Sequence, residues 1–432
     1  MLRRRNSSGR VGRRAVLLTG GVMAALSFGA LNVGTAAAVN CGGANIEGVG
    51  ASLQNVAQKE VWIPGFKGIC GEKPVVTYAG GGSGKGLKEW RFTGEGAINT
   101  AYGWASSDDA PTKAQIENSE AVAGGAKVAV IPVAQTAIAI LAHPPAGCSV
   151  EAITNENTAG VFEGRIKEWS KMEFKEGTCN QPIKRVVRED GSGTTYQFKN
   201  YLYQLFKGTL FCTTGLVKPG EKATWQELEP NPGPNTLWPE KCPEKELSEV
   251  LRGNGGGGVA TKVIETPGSI GYVALPDAKA ALKKAAGEGK EGSLILALQN
   301  NSQKKGGEAL FALPYEEGEE TANCSGMTYQ VPKLNGGLDI DWSQTFGAKP
   351  YIGGTAYPLC ALTYAMSLHG YGKAGFGEAT EISARAYLYE YIVQKAGQEA
   401  INSHWYNALP TNGLELYDVA GAAKKAAKEI SF

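Results

Sequence analysis

The distribution of apolar residues along the chain predicts alternating strands and helices. Residues 127–133 and 136–141 are nearly continuous apolar runs with β-branched content, which is typical of strands buried on both faces of a sheet. Residues 75–78 are a short β-prone run that ends in a glycine-rich turn, and a helical stretch containing Leu87 and Trp90 follows. We therefore expect an α/β protein in which helices cover a parallel or mixed sheet.

Two further helices are predicted by apolar residues that recur with helical spacing. The first set is Phe198, Tyr201, Leu202 and Leu205, and the second is Ile382, Ala386, Tyr389 and Val393. Two stretches break the pattern. Residues 213–258 hold six prolines and end in four glycines, and residues 287–337 are rich in Gly, Glu, Lys and Asn. We expect both to be surface insertions, each tied down by cysteines.

The first 38 residues have the features of a secretory signal peptide. The first 14 positions contain six arginines and no acidic residue, and an apolar run then extends to about residue 33. Ala36 and Ala38 give an A-x-A cleavage site. The run is too short and wrongly flanked for a spanning helix. We expect export to the periplasm or the cell surface, with cleavage near Ala38. The general secretory and twin-arginine routes both stay open, as does a tether to the cell.

The charge distribution narrows the class of partner. The net charge of the whole chain is +1 and the leader carries six arginines, so the rest of the chain is net acidic. No basic block remains, which argues against a nucleic acid or an anionic membrane as partner. If the protein binds an anion, it must hold it by contacts within a local site and not by the overall charge of the chain.

The eight cysteines predict disulfides, because their number is even and the chain is expected to be exported. The similar gaps between neighbours favour the pairs Cys41–Cys70, Cys148–Cys179, Cys212–Cys242 and Cys324–Cys360. The absence of C-x-x-C spacing and the presence of only three histidines argue against a zinc site.

Four segments combine a strand-like run, small residues, a hydroxyl or carboxyl residue and a following helix. They are residues 48–53, 80–84, 106–111 and 190–194. Backbone N–H groups just inside a helix N-terminus bind anions when glycine lets the ligand approach. A single such segment is more often a capped turn, but four of them favour a shared anion site. Arg188 adds a guanidinium that can bind an oxyanion bidentately, unless it only pairs with Glu189 or Asp190.

Two enzyme motifs fail in this chain. A phosphate-binding P-loop would need glycine at position 79 and Ser or Thr at position 86, where Ala79 and Gly86 stand. The G-x-S-x-G motif of serine hydrolases fails around Ser83 and Ser192. We therefore expect no enzyme and no cofactor.

The motifs together resemble the exported phosphate-binding proteins that serve the phosphate ABC importer. The resemblance rests on VVREDGSGTT at residues 186–195, GVGAS at 48–52, ITNENTAGVFEGRIKEW at 153–169 and TPGSIGYV at 266–273. It runs from about residue 46 to the C-terminus and implies a two-lobed periplasmic-binding-protein fold (type II-like) with a hinge and a central cleft. It also implies inorganic phosphate as ligand, the membrane ABC permease as partner, and a monomer.

The resemblance also implies a set of phosphate-binding residues. From the first lobe these are Ser52, the backbone N–H of Leu53, Ser83 and Asp109. From the second lobe they are Arg188, Ser192, Gly193 and Thr194, with Asp190 orienting Arg188. Ser52 and Leu53 depart from the Thr and Phe that are common in the family. Asp108 leaves the ligand-facing acid uncertain by one residue, and we favour Asp109 because Ala-Pro follows it.

The implied lobe boundaries follow from a chain that crosses twice between the lobes. We expect lobe 1 to combine residues 41–132 with 358–432 and lobe 2 to span residues 133–357, with hinges near Pro132 and Pro358. An exported phosphatase-like enzyme and a surface protein on the same scaffold stay as alternatives.

Overall fold

The computed structural model describes residues 38–206, 236–238, 249–300, 309–333, 336–343, 345 and 356–432. The predicted leader before Ala38 and the predicted pair Cys212–Cys242 lie outside these residues. Within the described ranges, no helix is both long and apolar enough to cross a membrane.

Strands and helices are interspersed along the described chain, as the apolar pattern predicts, although β4 to β6, β7 and β8, and β11 to β13 follow one another directly. The strands are β1 (Ile46–Gly50), β2 (Val76–Gly81), β3 (Trp104–Ser107), β4 (Lys127–His143), β5 (Cys148–Val150), β6 (Ala152–Ile153), β7 (Lys175–Gly177), β8 (Lys184–Arg188), β9 (Val250–Gly253), β10 (Ser269–Ala274), β11 (Leu294–Gln299), β12 (Phe311–Ala312), β13 (Cys360–His369) and β14 (Tyr406–Asn407). The helices are α1 (Ile63–Cys70), α2 (Ser83–Glu89), α3 (Lys113–Val122), α4 (Asn155–Phe162), α5 (Gly193–Phe206), α6 (Gly255–Ile264), α7 (Leu275–Gly287), α8 (Glu378–Arg385), α9 (Lys395–Ala400) and α10 (Val419–Lys428).

The main sheet is mixed, with the strand order β2-β1-β3-β13-β4-β10-β8-β9. We call β1, β2, β3 and β13 the first sheet half, and β8, β9, β10 and β11 the second sheet half. Strand β1 is parallel to both β2 and β3, and β8 is parallel to both β9 and β10. The carboxyl ends of parallel neighbours lie at the same edge of a sheet, so the turns that follow β1, β2 and β3 meet there.

Strand β4 joins the two sheet halves. The two apolar runs predicted in this region form one strand of 17 residues. Its residues from Lys127 to Ala137 pair with β13, and those from Ile138 to His143 pair with β10. The register with β13 shifts by one residue between Pro132 and Ala134. Proline has no N–H to give to the ladder, and a bulge accommodates it. The lobe boundaries placed near this point stay a prediction.

Buried aromatic residues form the core on the second sheet half. Phe198, on the predicted apolar face of α5, lies with its ring centroid 4.7 Å from Phe162 and 4.6 Å from Tyr272. Tyr201 and Leu202 of the same face are fully buried. The packing of α5 on β10 fixes the position of the helix N-terminus relative to the end of β8.

Three predicted disulfides are confirmed among the described residues. They are Cys41–Cys70, Cys148–Cys179 and Cys324–Cys360. Each closes a short loop, which restricts the unfolded chain and so stabilises the fold.

The described parts of the two stretches expected to be surface insertions differ from that expectation. In the first, residues 250–253 form β9, and the four glycines from Gly255 begin helix α6. In the second, β11 pairs with β4 in the sheet, and Met327, Tyr329 and Val331 are buried. Strand β11 forms from the apolar run LILAL at residues 294–298, whose pattern is short compared with the polar stretch that surrounds it.

Candidate anion-binding site

Three turns at the end of the first sheet half are hydrogen-bonded to one another. Ser52 begins a single 3-10 turn after β1, Ser83 begins α2 after β2, and Asp108 follows β3. The Ser83 Oγ accepts a hydrogen bond from the amide of Asp108 at 3.0 Å. The amide of Ala51 donates to the Ser106 Oγ, also at 3.0 Å. The ends of β1, β2 and β3 therefore form one hydrogen-bonded unit.

The fourth turn lies between β8 and α5 in the second sheet half. Ser192 caps the helix, because its Oγ accepts from the amide of Thr195 at 3.1 Å. The amide of Ser192 itself donates to the carbonyl of Thr236 at 2.8 Å. Gly193 and Thr194 are the first residues of α5, where backbone N–H groups have no partner within the helix and attract anions.

The structure brings this fourth turn against the other three. The amide of Gly84 donates to the carbonyl of Gly191 at 2.9 Å. The Thr194 Oγ1 donates to the Asp108 Oδ2 at 3.3 Å. Gly193 lies so close that a methyl group placed on it would be 2.5 Å from the Ser83 Oγ. The four segments singled out in the sequence thus converge on one buried region.

Arg188 is the buried cation of this region. The side chain is only 2% exposed, and its Nε donates to the Asp190 Oδ1 at 2.7 Å while Nη2 donates to Oδ2. Burial opposes the ionisation of Asp190, but the hydrogen bonds and charge of Arg188 and the amide of Gly255 outweigh it, so the pKa of Asp190 is lowered. The hydrogen bonds described for the guanidinium are made by Nε and Nη2, the edge that faces Asp190. Asp190 therefore fixes the guanidinium and leaves one edge for an anion.

Asp108 is a second carboxyl group on which the charge of Arg188 acts. Its Oδ1 accepts from the Thr363 Oγ1 at 2.8 Å. Burial raises its pKa to about 6, against the lowering effect of Thr363 and of the Arg188 charge. A carboxyl group with this pKa is mostly ionised near neutral pH. Asp108 can therefore accept a hydrogen bond from a protonated group in the buried site.

Asp109, favoured from the sequence, lies differently. The Ser107 Oγ accepts from the amide of Asp109 at 3.0 Å and donates to its carbonyl, which makes a local turn. After burial, the charge of Asp109 is the main factor that raises the pKa of Tyr196, and it also raises that of Tyr364. Asp108 is thus the acid that binds Thr194 of the second sheet half and is affected by the Arg188 charge, and the ligand-facing role expected of Asp109 stays a prediction.

A chain of buried side chains behind Asp108 was not predicted. Tyr387 donates to Gln58 at 2.6 Å, Gln58 donates to Gln54 at 3.0 Å, and Gln54 donates to the Thr363 Oγ1 at 2.7 Å. Since the Thr363 oxygen accepts from Gln54, its own proton points to Asp108. In the sequence, Thr363 is a polar residue within the apolar run CALTYAMSL of β13, a position that favours a buried hydrogen bond.

Ser52 and Leu53 line the first turn of the site. The Ser52 Oγ is buried and has no hydrogen-bond partner in the described part of the chain. Leu53 is 1% exposed, and its carbonyl accepts from the Tyr406 hydroxyl at 2.5 Å. Buried hydroxyl groups are normally satisfied, so a ligand oxygen is a natural partner for Ser52.

These groups together suit a small oxyanion that carries a proton. The hydroxyls, the helix N-termini and Arg188 supply donors and positive charge, and Asp108 supplies one acceptor. In the ranges that the structure describes, no cluster of three or more His, Cys, Asp or Glu side chains could hold a metal ion.

Comparisons with known sequences give phosphate-binding relatives. A phosphate-binding protein of an unknown prokaryotic organism is 31% identical over 131 residues, which are 29% of this chain and 34% of the relative. The phosphate-binding protein PstS of Xylella fastidiosa is 29% identical over 147 residues, 32% of this chain and 33% of the relative. The chain thus matches about a third of the length of these curated relatives.

Comparisons with solved structures cover nearly the whole chain. A high affinity periplasmic phosphate-binding protein (PfluDING) bound with phosphate has a TM-score of 0.58 and 18% identity, over 90% of this chain and 94% of that one. A phosphate-binding protein from Stenotrophomonas maltophilia has a TM-score of 0.59 and 16% identity, over 88% and 93%. At such identities the likeness shows the fold, which is the two-lobed α/β fold of these proteins. A family model described as a PBP superfamily domain matches residues 35–331, more than half of the sequence, and the chain therefore belongs to the PBP superfamily.

Proposed function

We propose that the protein is an exported solute-binding protein that captures inorganic phosphate and delivers it to the membrane permease of an ABC importer. The observation that carries the proposal is the placement of Arg188 and Asp108 in one buried region with the N-termini of α2 and α5. The names of the relatives, all phosphate-binding proteins, support it.

Each proposed ligand contact has a physical role. The hydroxyls of Ser52, Ser83, Ser192 and Thr194, the amides of Leu53, Gly193 and Thr194, and the guanidinium of Arg188 would donate to phosphate oxygens. Asp190 would hold Arg188 in place, and we assign the ligand-facing acid to Asp108 in place of Asp109. Hydrogen bonds to a charged partner contribute about 1.5–3 kcal/mol each, so a small anion can be bound tightly by such a set.

The Asp108 carboxylate provides the choice between anions. Phosphate near neutral pH still carries a proton and can donate it in a hydrogen bond to Asp108. Sulfate has no proton to donate, so its oxygen would face a carboxylate in a desolvated site. A mispaired buried group of this kind costs several kcal/mol, or roughly 10³-fold in affinity.

Cleft closure would assemble the site from the two lobes. We assign residues 41–132 with 358–432 to lobe 1 and residues 133–357 to lobe 2. The bulge in β4 beside Pro132 supports a hinge at this crossing, since an interrupted ladder bends more easily. The contact between Gly84 and Gly191 would then form on closure and break on release.

Export, a monomeric state and the absence of catalysis belong to the same proposal. Arginines and an A-x-A site in the first 38 residues support export. The alternatives, a phosphatase-like enzyme or a surface protein, are not favoured by relatives that are named for phosphate binding.

Isothermal titration calorimetry of the purified protein with inorganic phosphate is the test of the proposal. We expect saturable binding of one phosphate per chain. An assay of phosphate-ester hydrolysis on the same sample should show no turnover. Turnover of an ester, or no heat of phosphate binding, would contradict the proposed function.

A further inference from the structure

The buried charges around Arg188 do not balance. Its guanidinium acts on three carboxyl groups, those of Asp190, Asp108 and Asp277. A bound phosphate would add one or two further negative charges to a region from which water is excluded. Like charges in a desolvated site cannot all remain ionised, so at least one of these groups must hold a proton.

Asp277 occupies a place in this group that the motifs did not indicate. It is the third residue of α7, and it is 9% exposed. Its Oδ2 is buried and has no hydrogen-bond partner within the described ranges. A methyl group placed on Gly256 would lie 2.0 Å from this oxygen, and the neighbouring amide of Gly255 donates to Asp190. Asp277 therefore lies against the same first turn of α6 that supports the Arg188–Asp190 pair.

The groups that face Asp277 come from both sheet halves. Arg188 and Lys59 attract its charge, and Asp108 and Glu60 repel it. The hydroxyl of Tyr406 also lies within the influence of its charge. Lys59, Glu60 and Asp108 belong to the side of the first sheet half, whereas Asp277 belongs to the side of the second. The electrostatic environment of Asp277 therefore depends on how closely the two sheet halves and their helices approach each other.

The cation nearest in sequence does not neutralise Asp277. The Lys279 Nζ lies 3.2 Å from the ring centroid of Tyr315 and 4.4 Å from that of Trp405. These cation–π contacts hold the ammonium group at the aromatic rings.

A purely structural role would be that of an acid in the first turn of a helix, where the helix dipole stabilises the negative form. The surroundings of Asp277 instead destabilise its negative form. Burial is the largest effect, and with Asp108 and Glu60 it outweighs Arg188 and Lys59, so the pKa of Asp277 is raised to about 7.

We propose that Asp277 makes phosphate capture proton-linked, because its carboxyl group holds a proton when the cleft is closed around the anion and its ionisation opposes closure. The inference rests on the proposed function and adds to it the preferred protonation state of the complex. Asp277 acts through closure and through Arg188, so it is a positioning residue.

The sign of the effect follows from linkage. In an open, solvated cleft the carboxyl group would ionise near the usual pKa of an aspartate, about 4, whereas the closed cleft raises the pKa. Below a pH of about 4, Asp277 is protonated in both the open and the closed state, so it does not affect the free energy of closure. Between that pH and about pH 7, closure becomes progressively less favourable, because the open state loses its proton and the closed state keeps it. Above pH 7 the carboxyl group is ionised in both states, and its unfavourable contribution to closure no longer changes with pH. Phosphate and Asp108 titrate as well, so the Asp277 contribution must be isolated by comparison with a variant.

The test is a series of calorimetric titrations with inorganic phosphate between about pH 5 and pH 8. Wild type is compared with Asp277→Asn and with Glu288→Gln, which removes an exposed carboxylate at the other end of α7. We expect the ratio of the Kd of wild type to that of Asp277→Asn to rise at least about tenfold across this range. Glu288→Gln should follow wild type at every pH.

Proton counting provides a second readout. Titrations at about pH 7 in buffers of different ionisation enthalpy should show that wild type takes up more protons on binding than Asp277→Asn. If Asp277→Asn does not fold, Asp277→Ser must show the same loss of pH dependence and of proton uptake. A constant Kd ratio with equal proton uptake overturns the inference and leaves phosphate binding intact. Failure of wild type and Glu288→Gln to bind phosphate at any pH overturns both proposals.

Discussion

Replacing Arg188 with methionine separates two contributions of the buried guanidinium. Methionine keeps the unbranched aliphatic stem and removes the charge and the donors. In the structure, Nε and Nη2 bind Asp190, and in the proposed complex the remaining edge would donate to phosphate. The substitution should therefore weaken phosphate binding and, by a different mechanism, lower the free energy of unfolding.

The loss in binding follows from the donors that disappear. Charged hydrogen bonds contribute about 1.5–3 kcal/mol each, so the loss of a bidentate contact amounts to about 3–6 kcal/mol. A loss of that size raises the Kd by at least about 100-fold, because each 1.4 kcal/mol is about a factor of ten. Calorimetry with phosphate measures it directly.

The loss in stability follows from the carboxylate left behind. The Asp190 side chain is 14% exposed, and removing one partner of a buried ion pair costs about 3–5 kcal/mol. In wild type the pKa of Asp190 is lowered, so the pair contributes stability above the ordinary aspartate pKa and loses it as the pH falls. In Arg188→Met the carboxyl group can take up a proton, so the deficit should be largest near neutral pH and shrink in acid. Urea unfolding without phosphate measures it.

The double variant Arg188→Met, Asp190→Asn distinguishes the two contributions. It should regain most of the stability, because no unpaired carboxylate remains, and none of the phosphate affinity. Arg385→Met is the control, since Arg385 pairs with Glu390 and donates to the carbonyl of Ile430 away from the site. A Kd of Arg188→Met within about threefold of wild type would refute the role given to Arg188, as would recovery of affinity in the double variant.

Three further substitutions test other parts of the site. Asp108→Asn should bind sulfate much more tightly than wild type does, because an amide can donate to an unprotonated oxygen; an unchanged anion preference in calorimetry would contradict the role of Asp108. Ser52→Ala should weaken phosphate binding about fivefold and leave the urea midpoint unchanged, because the hydroxyl has no partner in the described part of the protein. Gly193→Ala should abolish tight binding, since its methyl group would meet the Ser83 Oγ at 2.5 Å, whereas Gly257→Ala, which has nothing within 4 Å, should bind phosphate normally.

The sequence predicted the parts of the fold that depend on local pattern. The apolar face of α5, the glycine turn after β2 and three of the four predicted cysteine pairs all arise from short-range spacing, and the structure has them. The two apolar runs that form β4 could not be joined in advance, because the polar Gln135 interrupts the apolar pattern between them. In the structure Gln135 is buried within the strand, and its Nε2 donates to the carbonyl of Cys324 and to the Tyr329 hydroxyl.

The parts that the sequence could not predict depend on contacts between distant residues. Thr363 donates to Asp108, which lies 255 positions away in the chain. The position of Thr363 in an apolar run indicates that it is buried, but not which residue it binds. The sequence also could not distinguish Asp108 from Asp109, because the two acids are adjacent and the turn in which Ser107 binds the backbone of Asp109 is not evident from local pattern. Asp277 is an acid in the first turn of α7, a common place for a solvated carboxylate, and it is the packing of α7 against α6 that buries it.

The selectivity between phosphate and sulfate shows whether the buried site recognises a protonated oxyanion. Calorimetric titration of the purified wild-type protein with each anion near neutral pH gives the two dissociation constants. We expect tight binding of phosphate and a Kd for sulfate that is larger by roughly 10³-fold or more, because only phosphate can donate a hydrogen bond to Asp108. Sulfate binding within about tenfold of phosphate binding would contradict it.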